Sequence, residues 1–165
     1  MKVERTRTGD LVVELFGPTM AFLTTPEQAE DGFCVMKGII PPGAAVPLHS
    51  HADTEDFYVL SGSIEYLRES AQGLRWEQVK TGDFIHVPPN AKHAWRNHSS
   101  EPVTNLIVTT DKMARFFLEV GRPVTGTPQP VSPEDLERFA AISARYGYWN
   151  ATPEENARAG LQISF

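Results

Sequence analysis

The chain has 165 residues, 41% of them hydrophobic and 22% charged, which suits one domain with a real core and excludes a disordered chain. A formal net charge of -6 argues against general nucleic-acid binding. A single cysteine, Cys34, excludes an internal disulfide framework and agrees with a reducing compartment.

The opening decapeptide, MKVERTRTGD, lacks the apolar stretch of a signal peptide. No uninterrupted apolar run reaches the length of a membrane span. A cytoplasmic location without a membrane partner is therefore expected. From residue 10 to 110 the chain consists of short apolar runs separated by Gly, Pro, Asn and Asp clusters. The runs are LVVEL (11–15), AFLTT (21–25), FCVMKGII (33–40), DFYVL (56–60), SIEYL (63–67), LRWEQV (74–79), DFIHV (83–87) and NLIVTT (105–110). Each has strand length and is rich in β-branched or aromatic residues. Ser61-Gly62-Ser63, Gln72-Gly73 and Thr81-Gly82-Asp83 read as hairpin turns. Many short strands at near-regular spacing predict a mainly β, antiparallel sandwich or barrel.

Beyond residue 120 the composition changes. GRPVTGTPQPVSP (121–133) holds four prolines in thirteen residues and predicts an extended surface connector. A helix follows, with Ser132 as N-cap, Pro133 at N1, Asp135 in the first turn and Gly147 past the end. Its stripe of Leu136, Phe139, Ala140, Ile142 and Ser143 is suited to docking on the barrel. A second, shorter helix repeats these signals with Thr152, Pro153 and Gly160. The expected organisation is a barrel over residues 1–120, then a connector and helices over 121–165 packing on it, one domain overall.

The chemistry concentrates in two stretches. In PLHSHADTEDFYVLSG (47–62), His49 and His51 stand two residues apart, so on a strand they share one face. Glu55 follows from the next strand, and His93 enters from a partner strand after the Pro88-Pro89-Asn90 turn. Three neutral imidazoles and a carboxylate can hold one divalent transition metal ion and leave a position open for water or substrate. Fe, Mn, Ni, Co, Cu and Zn all accept such ligands. A lone histidine on a strand is usually a satisfied core or surface residue, but four ligand-type residues in two spaced motifs are not read that way. His86, in DFIHV, lines the pocket in one register and not in the other. His98 and the aspartates Asp53 and Asp56 read as solvated, the aspartates alternatively as supports for a histidine. Cys34 reads as a buried packing residue.

The two motifs run Gly43, His49, His51, Glu55, Gly62 and then Gly82, Pro88, Asn90, His93, Asn97. They resemble those of the cupin superfamily, metal-binding antiparallel β-barrels of the jelly-roll type. The departure is Asn90, where the family usually has glycine; asparagine also tolerates a left-handed backbone, so the turn is expected to survive. The resemblance implies a metal at His49, His51, Glu55 and His93, and a homodimer. The run DKMARFFLEVGRPV (111–124) with PEDLERFAAISARYGYW (133–149) further resembles the tail of small single-domain quercetin-dioxygenase-like cupins. That implies an oxidoreductase acting with O2 on a hydroxylated aromatic or enol small molecule, with Glu55 as ligand and base. Phe22, Met36, Phe57, Tyr58, Trp95, Phe116 and Phe117 are candidates for apolar walls of such a pocket. Two alternatives stand beside it: a metal-dependent lyase, isomerase or decarboxylase on a small carbonyl compound, and a non-catalytic small-molecule-binding cupin. Fold alone decides none of these.

Overall fold

The computed structural model describes residues 11–29, 32–124 and 130–162. The N-terminal decapeptide and the middle of the proline-rich connector lie outside the described residues.

Among the described residues, twelve strands form two antiparallel sheets. The first ten are β1 (Val12–Glu14), β2 (Thr19–Phe22), β3 (Phe33–Ile40), β4 (Ala45–Ser50), β5 (Glu55–Ser61), β6 (Ser63–Ser70), β7 (Gly73–Lys80), β8 (Phe84–Val87), β9 (His93–Arg96) and β10 (Val103–Thr110). They are followed by helix α1 (Asp111–Val120), β11 (Arg122–Pro123), helix α2 (Pro133–Tyr146), β12 (Trp149–Asn150) and helix α3 (Pro153–Arg158). One sheet runs β11-β1-β2-β3-β10-β5-β8 and the other β12-β4-β9-β6-β7. This is the expected jelly-roll type of β-barrel with short C-terminal helices.

Alternation builds the core. Cys34, Met36, Phe57, Val59, Ile64, Tyr66, Val87, Trp95, Val103 and Ile107 point inward and form one cluster. Trp95 sits between Phe57 and Tyr66, with ring centroids 4.8 and 4.7 Å away. The motif glycines Gly43, Gly62 and Gly82 all have positive φ (75°, 90° and 93°), where a side chain would be strained. Asn90 takes the same region with φ of 64°, so the turn expected there is kept.

The second predicted strand needs a correction. It runs Thr19–Phe22, not 21–25, because Leu23 and Thr24 bend away to donate both backbone N–H groups to Val35 O. The structure also adds α1 where the sequence expectation has only the end of the barrel. Thr110 caps it by accepting from Met113 N at 3.1 Å, and Met113, Phe116 and Val120 recur on its buried face. Helix α2 begins and ends as predicted, with Ser132 accepting from Asp135 N and Gly147 at φ of 76°. In its stripe Ile142 and Ser143 are buried and Phe139 packs against Phe116, whereas Ala140 faces solvent.

Candidate metal centre

Strand β4 delivers the first ligand. Leu48 turns outward against Leu67, Ala94 and Leu161, so its neighbour His49 must turn inward. A register irregularity between Val46 and His49 sets His49 directly opposite His93 on β9. His51 follows just past β4, and Glu55 opens β5. His51 (3% exposed), Glu55 (3%) and His93 (0%) are buried, while His49 is half-buried. The three imidazoles offer nitrogens that all lie within 4.8 Å of one another.

The ring orientations are fixed from behind. Each Nδ1 faces a backbone carbonyl: His49 to Pro47 at 2.8 Å, His51 to Asp53 at 2.8 Å and His93 to Ala91 at 2.9 Å. A carbonyl only accepts, so each Nδ1 carries the proton and each Nε2 keeps its lone pair free. Nε2 of His51 and of His93 are buried without a hydrogen-bond partner. Glu55 Oε2 lies 3.3 and 3.6 Å from them, outside hydrogen-bond geometry. Buried lone pairs with no donor, gathered beside a carboxylate, fit a divalent cation.

Protonation follows the same geometry. Burial, then the neighbouring His93 and His51, holds His49 down to about 3. Burial opposes charge on His51 too, but the Glu55 carboxylate outweighs it and raises that histidine above its ordinary value. Burial alone would raise Glu55; contacts with His51 and His93 reverse this and hold it at about 2, so it is ionised at neutral pH. Where His51 carries a second proton, on Nε2, metal binding has to displace it. The apparent metal affinity is expected to fall as pH falls through the raised value of His51. The loss is about tenfold per pH unit for each proton displaced. Competition with a chromophoric chelator between neutral pH and pH 5 measures it, and a flat profile would remove the histidines from the site.

A further group stands behind His51: Asp53 takes the alternative of supporting a histidine, while its partners Thr110 and Tyr148 are not among the sequence expectations. Asp53 is buried, not solvated. Its carboxylate accepts from Thr110 Oγ1 and from Tyr148 Oη at 2.7 Å, with Lys112 Nζ 3.6 Å away. Its backbone carbonyl is the one that orients His51. Burial, then Asp53, raises the Tyr148 hydroxyl above its usual range, so it stays a donor. The Tyr148 ring is 5.6 Å from that of His51.

The cluster opens on a cavity of about 140 Å3. Of the predicted walls, Phe57, Trp95, Phe116 and Phe117 line it. Phe22 and Met36 do not; they are buried in the core between the sheets. Tyr58 is 44% exposed on the outer face, one residue out of phase with Phe57. His86 also faces outward and pairs with Asp56 at 2.7 Å. His98 is exposed beside Glu65, and Cys34 is buried as expected. Phe139, Tyr148, Met20 and Asn105 are walls that the sequence expectation omits.

Residues 36–109 match the cupin domain family. With two antiparallel sheets and an inward histidine cluster, this stretch is similar to a cupin domain, as the two motifs imply. Over 130 residues the chain is 29% identical to the quercetin 2,3-dioxygenase of Bacillus subtilis (strain 168), a match covering 78% of this chain and 37% of that protein. The chain thus spans little more than a third of that relative's length. Among solved structures it resembles the polyketide cyclase RemF from Streptomyces resistomycificus, with a TM-score of 0.58 and 20% identity over 86% of this chain and 99% of that one. It also resembles the plu4264 protein from Photorhabdus luminescens, with a TM-score of 0.56 and 23% identity over 69% of this chain and 92% of that one. These two likenesses concern the fold.

Proposed function

We propose that this cupin is a metal-dependent, dioxygenase-like oxidoreductase acting on a hydroxylated aromatic or enol small molecule. The observation that carries this is the pair of orphaned Nε2 atoms beside Glu55, set in a cavity walled by Phe57, Trp95, Phe116 and Phe117. The sequence likeness to a quercetin 2,3-dioxygenase supports the substrate class. A divalent ion (Fe, Mn, Ni, Co, Cu or Zn) held by His49, His51, Glu55 and His93 would lower the pKa of a coordinated substrate hydroxyl; Fe, Mn, Ni, Co or Cu would also open redox chemistry with O2, whereas Zn would direct the site to Lewis-acid reactions. The chain's residues do the rest. The aromatic walls receive the substrate ring and exclude water. Glu55 is the base to which we assign the proton that the hydroxyl loses; its low value beside His51 and His93 keeps it ionised but does not make it a strong base.

The test is oxygen uptake by metal-reconstituted protein with quercetin and simpler enols. The expected outcome is stoichiometric O2 consumption that stops in the metal-free protein. Turnover that persists without oxygen would replace this with lyase, isomerase or decarboxylase chemistry, and tight binding without turnover would leave a binding cupin.

As for assembly, we read the chain as one domain in a reducing cytoplasm, which suits its single buried thiol. A homodimer is favoured by an apolar stripe on the outer face of the larger sheet. There Tyr58 pairs with Phe84 on one side and Leu106 on the other, and Tyr58, Leu60 and Phe84 are exposed. Sedimentation velocity checks it: a monomer at all concentrations would refute the dimer.

A further inference from the structure

The inward face of β10 carries Val103, Asn105, Ile107 and Thr109. Three of these suit their places: Val103 and Ile107 pack in the core, and Thr109 donates to Thr54 O at 2.8 Å. Asn105 does not. It is 1% exposed, it lines the cavity, and its Oδ1 has no hydrogen-bond partner among the described residues. A buried amide oxygen left unpaired is destabilising, so its retention needs a reason.

The surroundings keep this amide open to the cavity. Its partner on β3 is Gly38, which also lines the cavity and whose missing side chain leaves room for Ile107. A Cβ there would lie 2.8 Å from Ile107 Cδ1. The pairing of β10 with β5 shifts register between Thr104 and Asn105, a bulge of the kind that re-aims a side chain beside a site.

Register also fixes where Asn105 lies relative to the histidine cluster. Thr109 pairs with Glu55, Ile107 with Phe57 and Asn105 with Val59. Four residues of strand separate the Glu55 level from the Asn105 level, roughly 13 Å along β10. An apolar floor of Phe57 and Ile107 lies between them.

We propose that Asn105 is a second polar anchor, accepting a hydrogen bond from a hydroxyl at the end of the substrate far from the histidine cluster. The substrate class is then a planar aromatic of two or three rings with hydroxyl groups at both ends. This rests on the reading of the histidine end as the site of a metal-bound hydroxyl.

The experiment compares two probes by anaerobic titration of Zn(II)-loaded protein, which measures binding without turnover. Quercetin carries hydroxyls on its outer rings, whereas 3-hydroxyflavone keeps only the hydroxyl beside the ketone. The parent is expected to bind quercetin roughly tenfold more tightly. Asn105→Leu, similar in volume, is expected to abolish that preference while leaving 3-hydroxyflavone within about twofold, which also shows that the variant is folded. Asn105→Ala serves if leucine overpacks the site. Equal binding of both probes by the parent, or an undiminished preference in the variants, overturns the anchor and leaves the metal-centred reading intact. Binding of neither probe overturns that reading and the anchor with it.

Discussion

Replacing His49 and His51 together by alanine is expected to abolish metal binding. Elemental analysis should find about one ion per chain in the reconstituted parent and close to none in the His49→Ala/His51→Ala variant, because only His93 and Glu55 would remain. Melting gives an independent readout. An ion that binds only the folded state stabilises it by about 4 kcal/mol at a thousandfold excess over Kd, so the parent should melt higher when metal is added. The double variant should show no such shift. Its metal-free form is expected to fold, since the change removes the orphaned, desolvated Nε2 of His51 together with two of the four ligands. Equal metal content in parent and variant would place the ion elsewhere.

Tyr148→Phe is expected to weaken metal affinity by about 10- to 100-fold without touching a ligand. The lost hydroxyl is the donor to Asp53 Oδ2 at 2.7 Å, and the Asp53 carbonyl holds Nδ1 of His51 at 2.8 Å. With that donor gone, the buried carboxylate keeps Thr110, with Lys112 at 3.6 Å, and the Asp53 segment is free to shift. The orientation of His51 shifts with it. Visible spectra of the Co(II)-substituted protein read this directly, since a change in ligand orientation alters the d–d bands whereas a distant packing defect does not. A lower melting temperature with unchanged affinity and spectrum would confine Tyr148 to a structural role. The phenylalanine ring preserves the edge-on contact with Phe116, whose centroid lies 4.8 Å away, so gross unfolding is not expected.

How much of this was legible differs from one residue to the next. The histidine spacing is local: two residues apart on a strand means one face, and the structure brings His49, His51 and His93 together. The turn at Asn90 is local too, because only a few residue types tolerate a positive φ. Helix α1 was equally legible, with Thr110 as a cap and Met113, Phe116 and Val120 at helical spacing, but its phenylalanine pair reads as readily as a wall or a strand end. Asn105 left a weaker trace, a polar residue in phase with the apolar face of VTNLIVTT.

The sequence by itself determined most of the strands, the caps of α2 and α3 and the residues offered to a metal, because each depends on periodicity or spacing over a few residues; the jelly-roll class came from the resemblance that the two motifs carry. Tertiary structure decided which side chains meet. Phe57 looks into the cavity and Tyr58 out of it because pairing with β10 and β8 assigns the faces of β5, and one step of register would exchange them. The hydroxyl that holds Asp53 comes from 95 residues away, carried there by α2 and the pairing of β12 with β4. Pairing with β3 sets Asn105 opposite Gly38, and its side-chain amide oxygen has no hydrogen-bond partner among the described residues. No local pattern encodes such contacts, since they follow from which segments the folded chain lays side by side.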